Sequence, residues 1–180
     1  SMAMRKCPGL VAVKPDFHKY EHYSREFKRI CRDYTSTMES FSIDEVFLDM
    51  TEMGIIFPDP IKTAHELKDR IYSELGFTVN VGIGNNKLCA KMASDFEKPN
   101  KVHTLFDDEV EKKLWPLPVR ELFMIGKSSA GKLTDYGIVT IGDLARLKPE
   151  TAISLLGDKM GNYAINAAKG IDETPVNGEE

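Results

Sequence analysis

A chain of 180 residues with a formal net charge of −4, 42% hydrophobic and 29% charged residues, suits one ordinary domain or two small ones with a sizeable core. No apolar run approaches the roughly 20 residues that span a bilayer, and the N-terminus lacks the long apolar core of a signal peptide. The mild acidity argues against a generic basic nucleic-acid binder.

Taken in chain order, Leu10–Val13 is a short apolar run that predicts a strand. Asp16 is an N-cap for a helix reaching about Thr35, with Phe17, Tyr20, Phe27, Ile30 and Tyr34 as its apolar stripe. Met38–Met50 reads as extended. Thr51–Pro60 is a turn region with Gly54, Pro58 and Pro60 as breakers. A second helix runs from about Ile61 to Leu75 and ends at Gly76. Phe77–Ile83 is a strand. Asn85 or Asn86 caps a third helix, Pro99 and Asn100 stop it, and Lys101–Phe106 is a further strand. Residues 107–170 show short helical patterns and no strand. The acidic tail from Thr174 reads as frayed. The expected class is α+β, an α/β layer followed by a small all-helical unit.

Cysteine usage adds a compartment. Cys7, Cys31 and Cys89 form an odd, scattered set without C-x-x-C spacing, so reduced thiols in the cytoplasm are expected. His18 and His22 match an H-x-x-E-H zinc spacing, but no third ligand is identifiable and the apolar stripe turns both outward.

Three segments carry candidate chemistry. Ser42–Asp49 sets Asp44 and Glu45 in an otherwise apolar stretch. The two side chains diverge in a regular strand but converge at a bulge or a hairpin turn. Such carboxylates suit Mg²⁺ together with phosphate oxygens; a solvated hairpin tip fits the same residues. Asp49 reads as a turn residue before Thr51. Val79–Lys87 runs strand, glycines, helix start, the outline of a phosphate-binding turn, yet it matches neither the dinucleotide nor the Walker pattern. Between Gly84 and Lys101, four lysines (Lys87, Lys91, Lys98 and Lys101) face only Asp95 and Glu97. Leu122–Leu133 reads helix, glycine turn, helix, with backbone N–H groups at a helix start suited to a phosphate.

The order SIDEVFLDMT (Ser42–Thr51), VGIGNNKLCAKMASDFEKPN (Val81–Asn100), LFMIGKSSAGKLTDYGI (Leu122–Ile138), TIGDLARLKPE and AAKGIDETPV closely resembles the Y-family (UmuC/DinB-like, ImpB/MucB/SamB) translesion DNA polymerases. The resemblance runs from about Met4 to Val176. It implies an error-prone, Mg²⁺-dependent, DNA-directed DNA polymerase working in DNA repair on primer–template DNA and dNTP. Asp44 and Glu45 would be palm carboxylates holding catalytic Mg²⁺, Ser42 would lie near the primer end, and Lys98 would contact the triphosphate. Lys87 and Lys91 would contact DNA phosphates, and Ile125, Gly126, Lys127 and Ser129 would lie on a thumb helix-hairpin-helix gripping the DNA backbone. Met124 stands where the family often has glycine, which predicts a remodelled hairpin.

The resemblance also implies a division of the chain: 1–9 as a tag scar with the end of the fingers, 10–106 as a partial palm of mixed or antiparallel sheet, 107–172 as the thumb, and 173–180 as the start of a linker to a little-finger domain. The family's first palm strand, with a further metal-binding aspartate and an aromatic gate, has no counterpart here. The expectation is a fragment that extends primers little or not at all, with any sliding-clamp contact made by other regions. The alternative reading is a non-catalytic DNA-binding module with a polymerase-like fold.

Overall fold

The computed structural model describes residues 2–178. A one-turn helix α1 (Met2–Lys6) leads into an extended stretch. The strand expected at Leu10–Val13 is absent: these residues find no partner strand among the described residues, and Val11 and Val13 are 81% and 84% exposed. A strand needs a paired edge to satisfy its backbone, and β propensity does not supply one.

Helix α2 (Phe17–Arg32) begins where Asp16 accepts a hydrogen bond from the Lys19 N–H. Its stripe is buried only in the second half: Phe27, Ile30 and the following Tyr34 are interior, whereas Phe17 and Tyr20 are exposed. His18 and His22 lie on the exposed first half. Strands β1 (Met38–Ser40) and β2 (Val46–Leu48) pair antiparallel, with Met38 opposite Leu48. The hairpin between them spans 41–45. Asp49 Oδ1 then accepts from both the N–H and the hydroxyl of Thr51, closing the turn.

Helix α3 (Pro60–Leu75) carries Pro60 in its first turn, Asp59 as N-cap and Gly76 at φ 77° as the left-handed stop, the arrangement such a sequence dictates. It packs Leu67 and Ile71 against Phe27, Ile30, Cys31, Tyr34 and Met38. Strand β3 (Val81–Gly84), helix α4 (Lys87–Asp95) and strand β4 (Val102–Leu105) form a parallel β–α–β unit, with Val81 opposite Val102. The two strand pairs are separate two-stranded sheets, one antiparallel and one parallel.

The chain then coils through a 3-10 turn (Asp107–Glu109), a π-helical turn (Val110–Leu114) and a second 3-10 turn (Val119–Glu121). Helices α5 (Lys127–Asp135), α6 (Ile141–Ala145), α7 (Pro149–Leu156) and α8 (Asp158–Ala168) follow. The larger core runs across the junction near residue 106, because Leu88, Cys89, Met92 and Ala93 of α4 pack with Leu105, Leu114, Leu133, Leu144 and Ala164.

The tail is tied down through Asn177, contrary to the frayed end expected from its composition. The Asn177 N–H and the Lys87 ammonium both donate to Glu39, and Lys87 also reaches the Pro175 carbonyl. These hydrogen bonds supply what a polar sequence cannot announce. Burial pushes the Cys31 and Cys89 thiols up, to about 12 and about 11. Both are buried and free, and Cys7 is exposed.

Glu109 locks the entry to the helical half. Burial raises its carboxyl pKa, but hydrogen bonds from Lys113, the Phe106 N–H and Thr104 outweigh that and hold it at about 2. A lowered folded pKa stabilises fully above the unfolded value near 4.5, and that stability is lost as pH falls toward about 2. Glu109→Gln should therefore lower stability at neutral pH by about 1 kcal/mol and flatten the acid limb between about pH 5 and about pH 2. Urea titrations across that range check it; an unchanged acid limb would count against the assignment.

Candidate functional site

The β1–β2 hairpin tip brings the acidic pair to the surface. The N–H groups of Phe41 and Ser42 both donate to the Glu45 carbonyl, which folds the tip tightly. Ser42 Oγ donates to Asp44 Oδ1 at 2.8 Å. Asp44 is exposed and Glu45 half-buried. The turn reading of this segment therefore holds over the regular strand.

Helix α4 supplies the cations. Lys91 Nζ pairs with Glu45 Oε1 and lies 3.4 Å from Asp95 Oδ2. Lys98 Nζ pairs with the other Asp95 oxygen at 2.7 Å. Glu45, Lys91, Asp95 and Lys98 thus form one continuous chain of alternating charge. Burial pulls the Lys91 pKa down, but the hydrogen bond it donates to Glu45 and the charges of Asp95 and Glu45 outweigh it and leave it raised. Lys98 itself is exposed and precedes a cis peptide to Pro99. The spacing Lys91–Asp95–Lys98, four and then three residues, carries the helical ion-pair signal that would have found Asp95 in the sequence.

Lys87 stands apart. Its ammonium donates to both Glu39 oxygens at 2.6 and 2.8 Å and lies over the Phe47 ring. A phosphate contact by Lys87 has to displace Glu39.

The two glycine–helix starts differ in chemistry. At α4, Asn86 accepts from the Cys89 N–H and Asp172 Oδ2 accepts from the Leu88 N–H, so the first turn already holds a carboxylate. The phosphate-turn outline of Val79–Lys87 is filled by the chain itself. Gly82 and Gly84 serve packing instead, since an added Cβ on Gly82 would lie 1.9 Å from the Ala90 carbonyl oxygen. Asp172 lies 84 residues from Leu88, and no local pattern reveals it.

At α5, Gly126 is the N-cap and offers no side-chain hydrogen bond to the first turn. Gly126, Lys127 and Ser128 are exposed, Ser129 is half-buried, and the Ile125 side chain is buried, leaving only its backbone for an external contact. An added Cβ on Gly126 would meet nothing within 4 Å, so no neighbour in the chain requires glycine there. The N–H groups of such a first turn, with the helix dipole behind them, suit an anion. The preceding segment is one 3-10 turn in place of the expected helix.

Met124 adopts φ 64° at the hairpin and is 61% exposed. The hairpin therefore keeps the left-handed residue and the methionine carries the strain, in place of the remodelling expected. The preceding residue is held on both sides: Phe123 O accepts from the Tyr163 hydroxyl, and the Phe123 N–H points at Met92 Sδ. Met124→Gly should stabilise the fold by about 0.5–1 kcal/mol, the left-handed penalty less the glycine entropy term. Urea unfolding measures it, and a loss of stability would contradict the strain.

The hairpin tip and the helical hairpin meet. The Phe41 and Phe123 rings are 5.9 Å apart, edge to face. Phe41 precedes Ser42, and Phe123 lies two residues before Ile125.

The donor set suits the implied Mg²⁺. Among the described residues no three or more His, Cys, Asp or Glu side chains gather as a metal cluster. Mg²⁺, however, is commonly held by one or two carboxylates with waters and substrate phosphates completing its shell. Asp44 and Glu45 would supply that pair, and the Lys91 ammonium on Glu45 marks a position that already accepts a cation.

Comparison with known proteins gives the chain's family and fold relatives. Residues 1–95 match the impB/mucB/samB family and residues 107–138 match the helix-hairpin-helix motif of that family. The chain is 41% identical over 177 residues to DNA polymerase IV of Clostridium acetobutylicum, covering 97% of this chain and 43% of that protein. It is 42% identical over 170 residues to DNA polymerase IV of Moorella thermoacetica, covering 94% and 42%. The chain thus spans less than half the length of these relatives. The crystal structure of DinB from Sulfolobus solfataricus superposes with a TM-score of 0.88 at 27% identity, over 98% of this chain and 52% of that one. A Dbh ternary complex gives 0.87 at 28% identity, covering 98% of this chain and 53% of the other. Both the family match over 95 of 180 residues and the shared fold lead to one assignment: the chain belongs to the impB/mucB/samB family.

Proposed function

We propose that this chain is the palm-and-thumb part of a Y-family, DNA-directed DNA polymerase that transfers nucleotides to a primer 3′ hydroxyl during translesion synthesis. One observation carries the proposal: the Phe41–Phe123 contact sets the carboxylate-bearing hairpin tip against the helical hairpin with its open α5 start. A polymerase needs those two functions side by side, phosphoryl chemistry at one and a grip on the duplex at the other. The ternary complexes solved for Dbh DNA polymerase share this fold and support polymerase substrates as ligands, which we read as primer–template DNA and a nucleotide.

In this reading Asp44 and Glu45 would hold Mg²⁺, which would supply charge stabilisation for the nucleotidyl transfer. Ser42 fixes the Asp44 carboxylate through the hydrogen bond it donates, and so sets the direction of one metal ligand. Lys98, exposed and paired with Asp95, receives the triphosphate. The N–H groups around Ile125, Gly126, Lys127 and Ser129 take backbone phosphates, which positions the duplex without reading its sequence. Lys87 and Lys91 lie along the same path, with Glu39 and Glu45 offsetting their charge. A sliding clamp, if engaged, is met through other segments, and the place of work is the cytoplasm, at the chromosome.

The test is fluorescence anisotropy of labelled primer–template DNA with this chain over a range of salt. Affinity should fall linearly with salt on logarithmic axes, with a slope of about −0.9 for each phosphate contacted. A flat response would remove the phosphate-gripping role of the α5 start.

A further inference from the structure

Resting on the metal-site reading above, we infer that Lys91 is a tethered counter-cation: its ammonium occupies Glu45 until a divalent cation arrives, and the two compete for that carboxylate. Three observations point there. Lys91 Nζ is paired with Glu45, the carboxylate next to Asp44 at the hairpin tip. The Lys91 side chain is only 14% exposed, so little water is present to replace the partner it would lose. Asp95 lies 3.4 Å from the same ammonium, one helical turn along α4, and can keep the ammonium when Glu45 turns away.

The physical need is clear. Two adjacent carboxylates at a tight turn repel one another, and a half-buried one is costly without a counter-charge. A fixed ammonium holds the Glu45 carboxylate in place before the metal is present. It also sets a threshold, because the metal must displace Lys91 before it gains the second carboxylate. Asp95 lowers that threshold by offering the displaced ammonium a second partner. Lys91 in this role is a positioning residue, and it touches neither substrate nor metal.

The experiment titrates Mn²⁺, a paramagnetic substitute for Mg²⁺ at oxygen sites, into the purified chain and follows free Mn²⁺ by electron paramagnetic resonance. Lys91→Met should tighten Mn²⁺ binding about tenfold, a change of about 1.4 kcal/mol. Lys91→Arg restores the competing cation and should return affinity to the wild-type value. Lys98→Met removes the same charge one ion pair further away and should change affinity much less, which separates competition from a general shift in field. Lys91→Gln serves if the methionine variant does not fold. The lysine ammonium resonance of Lys91 should also shift as Mg²⁺ is added. Asp44→Asn tells the two levels apart. If Mn²⁺ binding is undetectable, or is unaffected by Asp44→Asn, the metal-site reading falls and the counter-cation with it. If binding needs Asp44 but Lys91→Met binds no tighter than wild type or Lys98→Met, the site stands and the competition is refuted.

Discussion

Gly82→Ala is expected to abolish folding of the chain, while Gly131→Ala leaves it folded and no less stable. A Cβ on Gly82 would lie 1.9 Å from the Ala90 carbonyl oxygen and 2.4 Å from the Ser94 nitrogen. Both are backbone atoms of α4, so no side-chain rotation relieves the clash. The helix would have to leave the strand by more than an ångström. Its inner face cannot follow, since Leu88, Met92 and Ala93 are locked into the core shared with the C-terminal helices. Overpacking by a methyl group costs about 1–3 kcal/mol even where side chains can shift. Here the cost exceeds that range and approaches the whole stability of an ordinary domain, about 5–15 kcal/mol. Gly131 is the matched control, because an added Cβ meets nothing within 4 Å and its helical position favours alanine by about 0.5–1 kcal/mol. Circular-dichroism melting of the two variants checks the pair. A Gly82→Ala protein that melts like wild type would mean that α4 does not rest on β3 as described.

The same contact explains what the sequence made legible and what it hid. Helix limits were readable because their signals are local: Asp16 and Asn86 cap, and Gly76 stops, all within a few residues of the groups they serve. The acidic hairpin was readable as two alternatives, and the Glu45 carbonyl, accepting from Phe41 and Ser42, decides for the turn. What failed was non-local. Leu10–Val13 has strand composition but no partner edge. The glycines of Val81–Lys87 have the outline of a phosphate cradle, yet their cause is a helix lying against the strand and their anion is Asp172 from the far end of the chain. Lysines counted as a basic patch prove to be paired, Lys87 with Glu39 and Lys91 with Glu45. Composition counts charges, whereas partners are set by the fold.

Asp44→Asn should reduce primer extension at least about 100-fold, equivalent to about 2.7 kcal/mol of transition-state stabilisation, without altering the fold. The measurement uses a chimera in which residues 2–178 replace the matching segment of the Clostridium acetobutylicum DNA polymerase IV, to which the chain is 41% identical. Asparagine keeps the side-chain shape and still accepts the Ser42 hydroxyl, so the hairpin tip stays closed. Asp44 is exposed, and its replacement leaves no cavity and no buried polar group unpaired. The one property removed is the negative charge toward a hard cation. Loss of extension with an unchanged melting temperature therefore reports on that charge alone. Ser42→Ala separates charge from direction, because it leaves the carboxylate ionised and removes the hydroxyl that orients it. Its effect should be smaller, about tenfold, and should appear partly as a higher Mg²⁺ requirement. Turnover retained in the Asp44→Asn chimera would remove the hairpin tip from the reaction and leave the α5 start as the chain's contribution to a polymerase.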